Sequence, residues 1–327
     1  MDYRPLGKTG LKISALSLGA SALGGVFGAV DTAEGRRIVR AALDAGINFF
    51  DVAPAYGATR AEMVLGAALR DIPRDGYFLS TKVGKYTAPG GYGADTFDYS
   101  SKRIAASLEE SGARLGTDYF DLILLHDLEY QGQSSTEWAL GEGLDTLHEL
   151  KRAGRIGAVG VGTYPVGLWR RILSDFNIDV ALVHNHHCLY DTRLLELLPI
   201  AERRHVGVVN ASPFGSGLLT DQGPPEWHPA GPADRAVFRR AAEYCRTHGT
   251  SISKVALQFA AARREIPTTM FSATDAASVR LNIDWYLEPA DGALLDQVRT
   301  MLAPVIDRQW SYQAENPQPQ NDLQHPH

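Results

Sequence analysis

Short runs of apolar residues alternate along this chain with longer segments in which apolar positions recur at helical spacing. The runs are Leu16–Gly19, Phe49–Asp51, Phe78–Lys82, Leu122–His126, Ala158–Thr163, Val180–Asn185, Val206–Ala211 and Thr268–Phe271. Each is nearly continuous in apolar character, the pattern of a strand covered on both faces. Between them, segments such as Thr32–Ala45 and Asp191–Arg204 are long enough for crossover helices, and turns carrying glycine follow, as in "DAGINFF" and "RAGRIGAVG". Strands alternating with helices demand a parallel sheet. Eight such units in this length predict an α/β fold, a closed (β/α)8 or TIM barrel, in preference to an open sheet. Ahead of them, "YRPL", "GKTG" and "LKIS" read as a β-hairpin capping the N-terminus.

Two segments interrupt the rhythm of short loops: "GKYTAPGGYGADTFDYS" after the third strand and "SPFGSGLLTDQGPPEWHPAGPAD" after the seventh. Long ordered loops in a compact domain are usually binding loops. The closing "ENPQPQNDLQHPH" is compositionally biased, so residues 305–327 are expected to be mostly irregular, at the end of a single barrel domain spanning 1–327. A net charge of −6 with no run of lysine and arginine argues against nucleic acid and anionic membranes as partners. No apolar stretch is long enough to cross a bilayer, the start "MDYRPLGKTG" has no apolar targeting segment, and only Cys188 and Cys245 occur. These features predict a chain of the reducing cytoplasm. No exposed apolar helix face is evident, which favours a monomer.

In a barrel of this kind active sites lie at the carboxyl ends of the strands. Strand two ends at Asp51, with Tyr56 in the loop behind it; strand three ends at Lys82 and strand four at His126. Each has an ordinary reading alone: a helix cap for Asp51, surface charge for Lys82, packing for Tyr56, a core position for His126. Together they define a chemistry. A lysine ammonium beside a phenol favours the phenolate, and a carboxylate beside the lysine keeps it charged, so Tyr56 is expected to exchange a proton near neutral pH. His126 offers a ring nitrogen to hold a substrate oxygen. On strand six, "VHNHHCLY" places His184 and His186 two apart, so both are expected to face the pocket and contact substrate. Read as metal ligands with Cys188 they lack a fourth donor, and no metal is expected.

The order and context of these residues, in "FFDVAPAYG", "LSTKVG" and "LILLHD", resemble the aldo-keto reductase superfamily, whose Asp, Tyr, Lys and His tetrad is spaced like Asp51, Tyr56, Lys82 and His126. The likeness extends over nearly the whole chain, through "YRPLGKTGLKISALSLGA", "GAVGVGTY" and "ASPFGSGLL". Within that superfamily, "FGAV", "LLELLP", "GVGVVNASP" and above all "GLLTDQGPPEWHPA" resemble plant-type L-galactose dehydrogenases and related bacterial aldose 1-dehydrogenases acting on L-fucose or D-threo-aldoses.

The resemblance implies a nicotinamide dinucleotide bound across the strand ends, which accounts for the lack of a G-x-G-x-x-G fingerprint. It places Thr163 and Tyr164 at the nicotinamide amide, Ser212, Phe214, Gly215 and Ser216 at the pyrophosphate, and Ser272, Thr274, Ser278 and Asn282 at the adenosine, with Asp51 bordering the cofactor as well. Relatives that prefer NADPH carry basic residues where this chain has Ser272 and Ser278, with Asp275 between, so NAD is expected over NADP; Arg280 is the one cation nearby. Two departures stand out: Leu182 where a strand-six glutamine is common, and Ala211 where an aromatic stacks on the nicotinamide. The implied activity is oxidation of an aldose such as L-galactose, L-fucose or D-arabinose at C1 to the lactone, with Tyr56 as the base. An NADPH-dependent carbonyl reductase and a cofactor-sensing binding subunit are the alternatives.

Overall fold

The structure is a computed structural model that describes residues 1–87 and 95–310; residues 88–94 of the first long loop and 311–327 of the tail lie outside the described residues. Strands β1 (Tyr3–Pro5) and β2 (Lys12–Ser14) form the antiparallel N-terminal hairpin. The barrel strands are β3 (Leu16–Gly19), β4 (Phe49–Asp51), β5 (Phe78–Val83), β8 (Phe120–His126), β9 (Ile156–Thr163), β10 (Val180–His184), β11 (Gly207–Ala211) and β12 (Thr268–Phe271). Between β5 and β8, β6 (Lys85–Thr87) and β7 (Asp95–Phe97) pair as a small antiparallel hairpin. The eight barrel strands are all parallel and close with β12 against β3. They coincide with the eight apolar runs, with ends shifted by at most two residues.

Side chains alternate across each strand, and this parity decides where the polar residues go. Phe49, Leu122, Leu124, Val180, Leu182, Val209 and Met270 fill the barrel interior, with Leu6 and Ile13 of the hairpin plugging its lower end. Phe50, Leu79, Ile123, Leu125, Val159, Ala181 and Val183 point the other way, into the layer of helices. Stepping by two along the interior rows leads from Phe49 to Asp51, from Phe78 through Ser80 to Lys82, and from Leu124 to His126. The register pairs Asp51 with Ser80 and Lys82 with Leu124. Three polar residues therefore sit on the inner wall at the carboxyl mouth.

At the opposite end two carboxylates tie neighbouring strands together. Asp121 accepts the backbone N–H of Leu79 at 2.8 Å, and Asp179 that of Val159 at 2.9 Å. Each satisfies a donor on the neighbouring strand that the ladder leaves open. Asp179 is also bonded by Lys151 at 2.6 Å and lies 3.8 Å from Lys8 of the hairpin turn, tying three elements together. Of the tail expected to be irregular, residues 305–310 are described, and residues 306–310 form no helix or strand. Val305 ends a short 3₁₀ turn, and Trp310 packs against Tyr190 and Phe238 while donating to Asp234 at 2.9 Å. Cys188 and Cys245 are both buried free thiols.

Replacing Asp179 by alanine leaves the Val159 N–H and the Lys151 ammonium without their acceptor. The variant should lose about 2–4 kcal/mol of stability, read as a lower urea midpoint at unchanged slope.

Candidate active site

Lys82 and Asp51 form an ion pair in which neither side chain is more than 3% exposed. The ammonium also donates to the carbonyl of Val52 at 3.0 Å, and Ser80 Oγ donates to the second oxygen of Asp51 at 2.6 Å. Burial alone would lower the pKa of Lys82, but Asp51 and Tyr56 outweigh it and hold the ammonium above its ordinary range. The charge is thus fixed in a nearly dry setting.

Tyr56 lies over this pair, with Lys82 Nζ 4.7 Å from the ring centroid. Its loop is seated by a close approach of two backbones. A Cβ on Gly57 would lie 2.1 Å from the Gly24 carbonyl oxygen, and one on Gly24 would lie 2.7 Å from that of Tyr56. Gly57 also has a left-handed backbone (φ 62). The glycines let the tyrosine loop dock on the 3₁₀ turn Ala20–Gly24 after β3. The expected depression of the phenol's pKa is not the net result. Burial pushes Tyr56 up, Lys82 offsets part of that, and Asp51 adds to the rise, so the phenol holds its proton beyond the usual tyrosine range.

His126 completes the group, its ring edge-on to that of Tyr56 at 5.7 Å and 89°. Burial pushes its pKa down to about 3, so the imidazole is neutral. Nδ1 has no hydrogen-bond partner among the described residues. The end of β8 is pinned by Tyr99, whose hydroxyl donates to the His126 carbonyl at 2.8 Å. The Tyr99 ring fits because position 84 is glycine; a Cβ there would come within 2.1 Å of it.

On β10 the expected positions divide. Leu182 lies in the barrel interior, below the mouth, and the next residue on that face is His184, at the strand end. His184 Nδ1 is 3.0 Å from Ser212 Oγ, and burial lowers its pKa to about 4. The alternation then fails. Asn185 is left-handed (φ 61), and His186 leaves the strand's periodicity to lie fully buried. Its Nδ1 is 2.9 Å from Asp191 and its Nε2 is 2.6 Å from the Tyr164 carbonyl, while its ring stacks on Tyr164 at 4.8 Å. His186 therefore organises a loop and is not presented to a substrate.

The residues expected at a cofactor lie along the same mouth. After β11, Ser212, Gly215, Ser216 and Gly217 all have positive φ, a tight backbone cradle with Phe214 at its centre. Asn185 reaches Ser216 Oγ at 3.3 Å with its amide nitrogen, while its buried Oδ1 has no partner among the described residues. An unused amide acceptor beside this cradle fits a dinucleotide bearing a carboxamide. Thr163 donates its hydroxyl to Glu129, which also accepts the Tyr164 N–H at 3.1 Å. Ser272 is bonded to the Gly19 carbonyl at 2.7 Å, and Asp275 caps the helix Ala276–Leu287 by accepting from Ser278 N and Oγ at 2.7 and 2.8 Å. Asn282 is buried on that helix, Thr274 precedes the cap, Ala211 lines the interior, and Arg280 is exposed.

Four neighbours went unnoticed in the sequence. Glu34 accepts the backbone N–H of Ala276 at 2.7 Å, adding a second carboxylate to that helix start. Lys85 pairs with Asp127 at 2.7 Å beside His126, and Glu129 follows two residues on. Burial raises Asp127, but Lys85 and His126 hold it down to about 2; burial and Asp127 push Glu129 up to about 7. Their signal was charge just beyond the strand ends, in "HDLE" and "KVGK".

Removing one member of the buried pair strands the other. Asp51→Asn or Lys82→Met alone should each cost about 3–5 kcal/mol, and the double variant should cost less than the sum, in a urea double-mutant cycle. The neutral histidines set an acid limit. Unfolded histidine gains a proton below about pH 6.5, whereas folded His184 resists until about 4, so its contribution is complete above pH 6.5 and is lost as pH falls toward 4. A stability profile of His184→Gln should fall less steeply across that window.

Residues 15–299 match the model of the Aldo/keto reductase family. The chain is 37% identical over 319 residues to L-galactose dehydrogenase of Arabidopsis thaliana, covering 95% of this chain and 97% of that protein. It is 33% identical over 275 residues to D-threo-aldose 1-dehydrogenase of a Pseudomonas species, covering 76% and 82%. Among solved structures, the holo form of an aldo-keto reductase from Bacillus halodurans superposes with a TM-score of 0.76 at 26% identity, covering 95% of this chain and 98% of that one. The chain belongs to the aldo/keto reductase family, a family of oxidoreductases that use nicotinamide cofactors.

Proposed function

We propose that this protein oxidises an aldose at C1 to the aldonolactone, with NAD as the preferred cofactor. The observation that carries the reading is the convergence of Tyr56, the buried Lys82–Asp51 pair and neutral His126 at one mouth. Two similar proteins named for aldose oxidation support the substrate class. When bound, the oxidised nicotinamide supplies the hydride acceptor for C1 and a positive charge that favours phenolate. Having released its own proton to solvent as that charge enters, Tyr56 takes the proton of the C1 hydroxyl as the C1–H bond breaks and the carbonyl forms. Lys82 stabilises the phenolate that precedes this transfer, and Asp51 keeps Lys82 in place and protonated. His126, being neutral, holds the reacting oxygen by hydrogen bonding without adding charge.

The residues that would hold the cofactor are the cradle Ser212–Ser216, Asn185, and the segment Ser272–Asn282. Glu34 and Asp275 already occupy backbone donors at the start of the helix Ala276–Leu287. A 2′-phosphate there would meet two carboxylates, which supports NAD over NADP. The raised pKa of Tyr56 favours a second reading, carbonyl reduction with NADPH, because a phenol that keeps its proton is suited to donate it.

Initial rates at a panel of aldoses, each with NAD and with NADP, separate the two. Cofactor reduction with L-galactose, L-fucose or D-arabinose and NAD is the expected outcome, and Tyr56→Phe should lower turnover by about 10²–10⁴-fold. Silence with every aldose, together with NADPH consumption on simple aldehydes, would establish the reductase reading instead.

A further inference from the structure

The proton relay accounts for Asp51, Lys82, Tyr56 and His126, but not for the ion pair beside it. Asp127 follows His126 directly and has a left-handed backbone (φ 53), a conformation that side-chain-bearing residues avoid unless something holds them there. It is held on two sides: its N–H donates to the Gly162 carbonyl at 2.8 Å, and its carbonyl accepts from the Tyr99 hydroxyl at 3.3 Å. The turn brings the carboxylate back beside the mouth. Oδ2 pairs with Lys85 Nζ at 2.7 Å, and Oδ1 lies 3.8 Å from His126 Nε2. The side chains of Asp127 and Lys85 are 22% and 11% exposed.

An ion pair so withdrawn gains little stability over apolar residues of similar size. Its surroundings suit a different role. Lys85 Nζ stands 4.8 Å from the Tyr130 ring centroid, and Tyr130 stacks on Phe97 at 6.1 Å and 16°, giving an apolar wall next to a fixed carboxylate. The 3.8 Å between Asp127 Oδ1 and His126 Nε2 is too far for a direct hydrogen bond. With the reacting oxygen held on that nitrogen, the carboxylate is within reach of the hydroxyl next to it on the ring, which can donate to Oδ1 while its neighbour reacts. Lys85 keeps Asp127 ionised, so the carboxylate is purely an acceptor.

We propose that Asp127 is a specificity-determining residue that accepts a hydrogen bond from the sugar hydroxyl adjacent to the reacting carbon, with Lys85 as its positioning partner. The inference rests on the aldose reading and adds to it a subsite for the C2 hydroxyl of a pyranose.

The test compares an aldose with its 2-deoxy counterpart, using wild type, Asp127→Asn and Lys85→Met, with NADH affinity from fluorescence titration confirming that each variant retains its cofactor site. In wild type, removing the hydroxyl should lower kcat/KM by about 10- to 100-fold. In Asp127→Asn the parent aldose should fall by a similar factor, carried mainly by KM, and the 2-deoxy sugar should fall far less. Lys85→Met should show the same pattern at a smaller factor, and it serves as the deciding variant if Asp127→Asn does not hold NADH. Equal losses for both sugars, or none, would overturn the subsite while leaving aldose oxidation standing. A wild-type protein that oxidises no aldose would overturn both.

Discussion

The ion pair between Lys82 and Asp51 is the constraint on which the site depends. Two charges held this far from water are costly unless each meets the other and further hydrogen-bonding partners, and here Ser80 and the Val52 carbonyl complete the set. That arrangement requires β4 and β5 to be neighbours in one register, with both charged residues on the inner parity at the strand ends. The barrel meets those conditions because its interior is apolar below the pair and plugged by the N-terminal hairpin. Tyr56 lies above this charge, and His126, kept neutral chiefly by its own burial, lies beside it.

Tyr56 sits where two opposing effects are both large. Burial disfavours its anion, and the Lys82 ammonium favours it; in the free protein burial prevails. On the proposed function the phenol is a resting acid that would release its proton when further positive charge enters the site. The same residues would then serve oxidation and reduction, with the direction left to cofactor and substrate. In that proposal the carboxylates of Glu34 and Asp275 would bear on the first choice, and the Asp127–Lys85 pair on the second.

Much of this was legible from the amino-acid sequence. All eight barrel strands appear as apolar runs, because a strand buried on both faces carries its own signature, and the parity of those runs places Asp51, Lys82 and His126 together. What could not be read depends on backbone turns and contacts that the strand period does not encode. His186 breaks from the strand period because Asn185 turns left-handed and Asp191 captures its ring. The net pKa of Tyr56 follows from how deeply its loop docks on Gly24. Asp127 and Lys85 follow different strands, β8 and β5, and become a pair because those strands lie side by side. Trp310, on an irregular stretch, packs because Tyr190, Phe238 and Asp234 offer it a site that composition does not reveal.

On the proposed function, the mouth built on this ion pair removes hydride from C1 of an aldose while Tyr56 takes the hydroxyl proton. The most direct measurement uses an aldose carrying deuterium at C1. The deuterium should be recovered in the reduced cofactor, and the sugar product should be the lactone. Deuterium retained in the sugar, with cofactor reduced from another position, would contradict it.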